Sequence, residues 1–243
     1  MNQVISLLKK HRSVRQFKPE SVSREIVHTI IEAAGWAATS NFIQAYTVIR
    51  VINPEKRKRI ASLAGGQTWV ETSPVFLIFC ADLNRAKQAC IYENKVMLPG
   101  YTEQFIIATV DVTLAAQNAM IAAESLGLGG VYIGGIRNDP ATVCSLLHIP
   151  EHVYPVFGMC LGYPVEQQEQ KPRLPVNMIL HEDTYQADVL DLKKYNKICH
   201  DYYQGRSKTS RDETWTHQIA EMMSKPARSH MRAFLEQKGF ELK

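Results

Sequence analysis

The apolar positions in the first third of the chain follow helical spacing, then extended spacing, then helical spacing again. Four apolar side chains at helical spacing predict a helix over about residues 2–10. Ser23, a residue type favoured at helix N-caps, precedes a stretch with one apolar face that extends to residue 38. A run rich in β-branched residues at 46–52 predicts a strand, and Asn53-Pro54 ends it before a charged helix to residue 63.

The middle of the chain predicts a buried strand, a loop and a long core helix. Residues 75–80 are continuously apolar, which is typical of a strand buried on both faces. Residues 83–102 show weak periodicity and contain Pro-Gly, so we expect a loop or mobile lid there. The helix expected over about 103–126 contains Asp, Gln, Asn and Glu residues that a lipid-exposed helix would have to bury. We therefore expect a core helix and no membrane span.

The second half continues the alternation and then becomes polar. The predicted elements are a strand at 131–133, a helix from Asp139-Pro140 to 147, a strand at 155–162, a polar helical region after 175, a basic loop at 206–211 and a last helix near 230–237. On periodicity alone, this alternation of strands and helices favours a parallel sheet.

Composition narrows the class of protein. The chain has 243 residues, of which 45% are hydrophobic, and this is enough for a sizeable core. The net charge of +4 is spread along the chain with no long run of like charge, which argues against nucleic-acid partners and anionic membranes. Five cysteines without a CxxC pair, and no secretion signal at the start, favour a reducing cytoplasm.

Two compact cationic clusters are the first chemical signal. They are His11-Arg-Ser-Val-Arg15 and Lys171-Pro-Arg-Leu-Pro175. Arginine, lysine and serine together supply the charged and neutral donors that a phosphate monoester prefers. The clusters therefore suggest a phosphate-bearing cofactor, and the alternative is a solvated basic surface.

A group of glycines is the second signal. A dinucleotide-fold fingerprint follows a strand and opens a helix, whereas the glycines at 127–135 close a helix and bracket a strand, so we reject that interpretation. Gly134 and Gly135 instead allow the backbone to approach a flat ligand, or they form tight turns only. The sequence has no P-loop lysine, HExxH, GxSxG or zinc-spaced Cys/His set, so metal and covalent hydrolytic chemistry lack support.

These motifs, taken together, resemble one known family. The matching segments are His11–Arg15, Ala64-Gly-Gly-Gln67, Ala116-Gln-Asn-Ala119, residues 122–135, 157–162 and Lys171–Pro175. In order and spacing they are similar to the nitroreductase superfamily, in its branch of oxygen-insensitive NADPH nitroreductases and NADPH-flavin oxidoreductases. The resemblance implies an α+β fold, with a mainly antiparallel central sheet flanked by helices and a helical C-terminal excursion.

The resemblance also implies an assembly, cofactors and substrates. It implies a cytoplasmic homodimer of one domain, residues 1–243, in which a polar helical extension from about 176 to 243 packs on the partner subunit and the active-site mouth. FMN is the implied cofactor and NADPH the co-substrate. The implied electron acceptors are small planar compounds, with no metal, nucleic acid or membrane involved.

Site residues transfer from the family only where this sequence matches its motifs. The FMN phosphate and ribityl chain would contact His11, Arg12, Ser13, Lys171 and Arg173. Arg15 would lie near N1 and O2 of the ring, where a cation stabilises the negative charge that reduction creates. Gln67 would bond the pyrimidine edge, with a polar loop residue as the alternative. The segment along the ring would be Tyr132, Ile133, Gly134 and Gly135.

One segment departs from the family pattern. The family is often serine-rich after the second helix, whereas this chain has Thr39 and Asn41, which keep hydrogen-bonding capacity. Arg206 and Arg211 match the loop that binds the 2′-phosphate of NADPH. Lys225 and Arg228 match a basic pair near the substrate mouth. For these four residues, a solvated charged surface is the alternative.

The function that follows is ping-pong electron transfer. NADPH gives hydride to FMN and leaves before a nitroaromatic, quinone or free flavin takes the electrons. The cofactor supplies the reactivity, so no catalytic acid or base is named. The alternatives are a dedicated NADPH-flavin reductase and a flavin-binding redox sensor with low turnover.

Overall fold

The computed structural model describes residues 2–166, 169–187, 191–206, 210–240 and 243. They form two compact units. The first comprises Met1–Gln168 and Arg228–Lys243, and the second comprises Glu169–Ala227. The prediction of one domain whose extension packs on a partner subunit stays a prediction.

The first unit is built around an antiparallel sheet. Its strands are β1 (Tyr46–Arg50), β2 (Val75–Asp82), β3 (Gly129–Ile133) and β4 (Val153–Gly162). Their order is β1-β2-β4-β3, and every neighbouring pair is antiparallel. The antiparallel sheet implied by the resemblance is thus confirmed, and the parallel sheet favoured by periodicity is wrong. Apolar periodicity reports burial and carries no information about strand direction.

Each unit also contains helices. Those of the first unit are α1 (Gln3–Lys9), α2 (Arg24–Gly35), α3 (Pro54–Leu63), α4 (Thr68–Thr72), α5 (Asn84–Tyr92), α6 (Thr102–Ser125), α7 (Pro140–Leu147) and α10 (Met231–Gln237), and those of the second are α8 (Leu192–Gln204) and α9 (Trp215–Met223). Short 3₁₀ helices lie at Ser40–Phe42, Gly134–Asn138 and Val176–Met178. The predicted cap Ser23 accepts a hydrogen bond from the Ile26 N–H at 3.2 Å, so the start of α2 is confirmed.

The prediction of a loop over 83–102 is wrong in its first half, where α5 lies. The Oδ1 atom of Asp82 accepts from the Asn84 and Arg85 N–H groups at 2.9 and 3.3 Å, so the residue that ends β2 also caps the next helix. The helix α4 is also absent from the prediction. Strand β3 begins two residues before the predicted Val131 because Gly129 and Gly130 pair with Gly162 and Leu161.

Helix α6 is the core helix that the sequence predicts. With 24 residues, the helix is long and apolar enough to cross a membrane. In its most apolar stretch of 18 residues, 39% is buried inside the protein. The buried residues are Ala108, Asp111, Val112, Ala115, Ala116, Ala119, Met120 and Ala123. This face packs on α2 and the sheet, so α6 contributes directly to the core of the first unit.

The second unit has a small core of its own. Met178, Tyr195 and Cys199 are buried there, and Leu174 and Trp215 pack against them. The polar helical character predicted after residue 175 is confirmed by α8 and α9. In the predicted basic loop, residues 207–209 lie outside the described residues.

Candidate active site

The first cationic cluster is fixed beside β3. The Val14 N–H donates to the Gly130 carbonyl at 2.9 Å, and Ser13 forms a parallel bridge with Gly130. A Cβ atom on Gly129 would lie 2.5 Å from Cγ2 of Val14, closer than side-chain carbons approach. The absence of that atom lets residues 11–15 lie along the strand that leads to Gly134 and Gly135.

His11 is held by a carboxylate that the sequence analysis did not select as a site residue. Its Nδ1 atom lies 2.6 Å from Oε1 of Glu124, near the end of α6. The Glu124 side chain is only 12% exposed, so the contact is shielded from water on that side. Because Nδ1 is engaged, Nε2 is the ring nitrogen that is left for a ligand. The neighbouring Arg12 donates from Nε to the Lys10 carbonyl at 3.1 Å.

Gln67 and Gly135, both of which the resemblance implies as ring contacts, lie close together. Gln67 Nε2 donates to the Ala64 carbonyl at 2.8 Å. A Cβ atom on Gly135 would lie 2.4 Å from that carbonyl oxygen and 2.7 Å from Gln67 Nε2. Gly65 and Gly66, with φ of 86° and 74°, provide the left-handed turn before Gln67. Two segments distant in sequence thus meet at a point where only glycine fits.

Arg15 is placed by a tryptophan that the sequence analysis missed. The guanidinium carbon of Arg15 lies 5.7 Å from the ring centroid of Trp69, within cation–π range. Trp69 belongs to α4, which begins directly after Gln67. Its Nε1 atom is buried and has no hydrogen-bond partner in the described part of the chain. Helix α4 therefore brings Arg15 and Gln67 to the same region.

Tyr132 and Ile133 differ in what they can offer. The Ile133 side chain is fully buried, so only its backbone can reach a ligand. Tyr132 packs edge-to-face on Phe157 with centroids 5.1 Å apart, and its hydroxyl donates to Gln117 at 3.4 Å. Burial, with a smaller contribution from Glu124, raises the pKa of Tyr132, so its phenol stays protonated.

The segment with Thr39 and Asn41 forms a separate group. Asn41, Phe42 and Gln44 have positive φ angles of 47°, 61° and 54°. The Asn41 and Phe42 side chains are exposed. Among the described residues, no hydrogen bond or ring contact joins this segment to Gln67 or Gly135.

The second cationic cluster lies in the second unit, where Lys171 and Arg211 meet on one ring. Lys171 Nζ is 5.8 Å from the Tyr203 centroid, and the Arg211 guanidinium carbon is 4.4 Å from it. Burial opposes ionisation of Tyr203, but hydrogen bonding with Arg211, Gln218 and Lys171 outweighs it and lowers the pKa of Tyr203. Arg173 donates to the Lys171 carbonyl at 2.9 Å, which shapes this segment.

The other predicted nucleotide and substrate residues are already paired. Arg206 Nε donates to Glu169 Oε2 at 3.2 Å, and its guanidinium lies 5.9 Å from the Tyr202 centroid. Lys225 Nζ is 2.6 Å from Glu221 Oε2, an exposed i,i+4 pair on the second unit. Glu169 would compete with the 2′-phosphate of NADPH for Arg206, and Glu221 would compete with the substrate for Lys225.

Arg228 lies in the first unit, beside the turn that follows Gly135. Its Nε donates to Asn138 Oδ1 at 3.1 Å, and its φ is 48°. Burial lowers the pKa of Arg137, and the nearby charge of Arg228 adds to this effect. Two like charges next to the Gly134–Asn138 turn favour an anionic group there.

Thiol and metal chemistry have little basis at this site. Burial raises the pKa of Cys144 to about 11 and that of Cys160 to about 12, so neither is a ready thiolate. In the described ranges, no three His, Cys, Asp or Glu side chains are grouped to hold a metal ion.

Comparisons with known proteins point to the same family as the sequence motifs. Residues 8–163 match the model of the nitroreductase family, and residues 171–243 match that of its C-terminal domain. The chain is 40% identical to FMN reductase (NADPH) of Bacillus subtilis, with 99% of each chain covered. It is also 40% identical to the oxygen-insensitive NADPH nitroreductase of Salmonella typhimurium, again over 99% of each.

A solved structure shows the same fold. The structure of B. megaterium NfrA1 superposes with a TM-score of 0.95 at 43% identity, covering 99% of this chain and 100% of that one. Together with the two family models, which span most of the sequence, this similarity shows that the chain belongs to the nitroreductase family.

Proposed function

We propose that this chain is an FMN-dependent oxidoreductase that oxidises NADPH and reduces nitroaromatics, quinones or free flavin. The observation that supports this most directly is the cluster in which Gln67 meets Gly135 and α4 positions Arg15. The full-length relatives named FMN reductase (NADPH) and oxygen-insensitive NADPH nitroreductase support the same activity.

The ring end of FMN fits the cluster by its donor set. Gln67 uses one amide N–H on Ala64, which leaves its oxygen and second N–H for the pyrimidine edge. The backbone of Ile133, Gly134 and Gly135 is the part of β3 and its following turn that can approach the ring, because Ile133 is buried and the glycines lack side chains. Tyr132 completes this segment, and we propose that Thr39 and Asn41 also contact the cofactor.

The phosphate end fits the cationic clusters. On the family motif, we assign His11, Arg12, Ser13, Lys171 and Arg173 to it. A phosphate accepts several charge-assisted hydrogen bonds, and this set offers imidazole, guanidinium, hydroxyl and ammonium donors. The contact between Glu124 and Nδ1 of His11 orients the imidazole ring, so that its Nε2 atom can bind the phosphate.

Bound FMN supplies the chemistry, since its ring accepts a hydride from NADPH and passes two electrons to the acceptor. Arg15 contributes a fixed positive charge beside the pyrimidine edge, which stabilises negative charge there. Gln67 and the backbone of the 133–135 segment orient the ring. No side-chain acid or base is assigned to the hydride step, since positioning and charge suffice.

The co-substrate and the acceptor use the remaining cations. We propose that Arg206 and Arg211 bind the 2′-phosphate of NADPH and that Lys225 and Arg228 line the acceptor mouth. The charge of Arg228 beside Arg137 favours acceptors with an anionic or nitro group.

A dedicated NADPH-flavin reductase is the second candidate, because one full-length relative bears the name FMN reductase (NADPH). The two candidates differ in turnover of free FMN and of nitrofurazone at equal NADPH. Turnover of FMN alone would identify the dedicated reductase.

We further propose a cytoplasmic homodimer. Ile106, Val110 and Leu114 form an apolar stripe on α6 and are 47%, 45% and 41% exposed. Such a stripe in a helix whose opposite face fills the core fits burial against a second copy. The cysteines of the described chain are all free thiols, which fits a reducing compartment.

The purified protein should be yellow, and anaerobic NADPH should bleach the flavin absorbance. The physical reason is hydride transfer to a ring held by Gln67 and the 133–135 backbone. The measurement is the absorption spectrum before and after NADPH addition. Yellow protein that NADPH leaves unchanged would support the low-turnover redox sensor, and colourless protein that FMN does not reconstitute would refute the proposal.

Replacing Arg173 or Ser13 by alanine should weaken FMN retention, with the larger effect for Arg173. A charge-assisted hydrogen bond contributes about 1.5–3 kcal/mol against about 1 kcal/mol for a neutral one. Dialysis followed by flavin quantitation measures the loss. Arg232→Ala is the control, since Arg232 is 79% exposed and pairs with Glu236 on its own helix. Full occupancy in both test variants would overturn the phosphate assignment.

Arg206→Ala should raise the Michaelis constant for NADPH and leave NADH kinetics nearly unchanged. One or two exposed arginine contacts at about 1–2 kcal/mol each give a preference for NADPH of about ten-fold to several hundred-fold, which added salt should reduce. Glu169→Gln removes the carboxylate next to Arg206 and should therefore lower the Michaelis constant for NADPH. Steady-state kinetics with NADPH and NADH measures these effects. An equal loss of activity with both nucleotides would indicate a folding or closure defect instead.

The dimer should persist on dilution. A cofactor site shared between subunits implies a buried interface on the order of 2,000–5,000 Å², the range of obligate dimers. Val110→Asp should place a charge in this interface and produce monomers that lose flavin. Sedimentation with flavin detection measures both, and a stable, flavin-loaded monomer of the unmodified chain would contradict the shared site.

A further inference from the structure

A fully buried carboxylate lies in the middle of α6. Asp111 has no exposed surface, and among the described residues no lysine, arginine or histidine forms an ion pair with it. A buried carboxylate is tolerated only when hydrogen bonds replace the lost water. Its two oxygens do so by accepting from the Ser40 N–H at 2.9 Å and the Ala45 N–H at 3.1 Å.

The two N–H groups lie at either end of a strained segment. Between them, Asn41, Phe42 and Gln44 all have positive φ, a conformation that residues other than glycine seldom adopt. Such conformations persist only where the surroundings hold them, and they are concentrated at functional sites. The carboxylate of Asp111 bridges this segment and fixes the separation of its ends.

A cation holds the same segment from the outside. Arg85, on α5, donates from Nη1 to the Gln44 carbonyl at 3.2 Å and to the Tyr46 carbonyl at 3.1 Å. Its side chain is 60% exposed, so these bonds compete with water, whereas those of Asp111 do not. The segment is thus held at its N–H groups by a buried anion and at its carbonyls by an exposed cation.

We infer that Asp111 is a positioning residue, which holds residues 40–45 in the conformation that presents Thr39 and Asn41 to FMN. Asp111 is buried beneath the segment and Asn41 is exposed on its outer side, so the carboxylate acts through the backbone. The inference rests on the proposed function, since it assumes that this segment contacts the cofactor.

The test is Asp111→Asn in the full-length protein. Asparagine keeps the shape of aspartate but has one oxygen acceptor, and its NH₂ group would face a backbone N–H, so Ser40 or Ala45 loses its partner. We expect FMN to bind about ten-fold more weakly, equivalent to about 1.4 kcal/mol. We also expect faster amide hydrogen exchange at residues 40–46 in the flavin-free chain, with exchange in β2 and β4 unchanged.

Thr109→Val is the matched control. Thr109 lies on the same helix and its hydroxyl is 2.6 Å from that of Tyr154, so its loss removes a part-buried hydrogen bond that does not involve residues 40–45. FMN affinity and exchange at 40–46 should stay at the level of the unmodified chain. Equal loss of affinity in both variants would mean that Asp111 contributes only general stability, which overturns the inference.

Other outcomes are also decisive. Unchanged FMN affinity in Asp111→Asn overturns the positioning role, and so does unchanged exchange at 40–46. If Asp111→Asn does not fold, Arg85→Gln replaces it, and faster exchange at 40–46 with weaker FMN binding supports the inference, whereas no change in either refutes it. Failure of the unmodified chain to bind FMN would instead count against the proposed function, because the exchange measurement needs no flavin.

Discussion

The candidate site depends on two positions where the backbone comes too close to its neighbours for any side chain. At Gly129 a Cβ would overlap Val14, and at Gly135 it would overlap the Ala64 carbonyl. The two glycines lie on one continuous segment, β3 and its following turn. They therefore bring residues 11–15 and 64–67 to the same stretch of chain, although both are far from it in sequence. A larger residue at either position would move a whole segment and not only a side chain.

Helix α6 links the core of the protein to this site. Its buried alanines pack on the sheet, while Glu124 reaches His11 and Asp111 reaches the 40–45 segment. Polar side chains on one rigid helix thus hold two separate parts of the first unit. The outer face of α6 is also apolar. The position of this one helix therefore affects three features: the packing of the core, the orientation of His11 and the proposed subunit contact.

The sequence predicted most elements but fewer of their contacts. Helices α2 and α6 and strands β1 and β2 follow from caps and periodicity, which are local properties. Helix α5 was missed because its cap, Asp82, belongs to the preceding strand. Strand direction came from the family resemblance alone, and the close approach of Gly135 to Ala64 and Gln67 came only from the structure. Glu124 and Asp111 gave a usable signal as charged residues in an apolar helix, but periodicity could not name partners 113 and 66–71 residues away. Trp69 and Tyr203 gave no local signal at all.

The shared aromatic ring of Tyr203 has a consequence for how mutational data on this protein should be combined. Lys171 and Arg211 contact the same ring, and Gln218 accepts a hydrogen bond from its hydroxyl at 3.1 Å. Groups with a common partner are energetically coupled, so the free-energy effects of replacing Lys171 and Arg211 will not add. A double-mutant cycle on Lys171 and Arg211 would then measure the coupling free energy between them. Lys171 is the residue assigned to the flavin phosphate, and Arg211 is the residue assigned to the nucleotide. Under these assignments, a substitution of Arg211 that changes nucleotide preference would also change flavin affinity through Lys171.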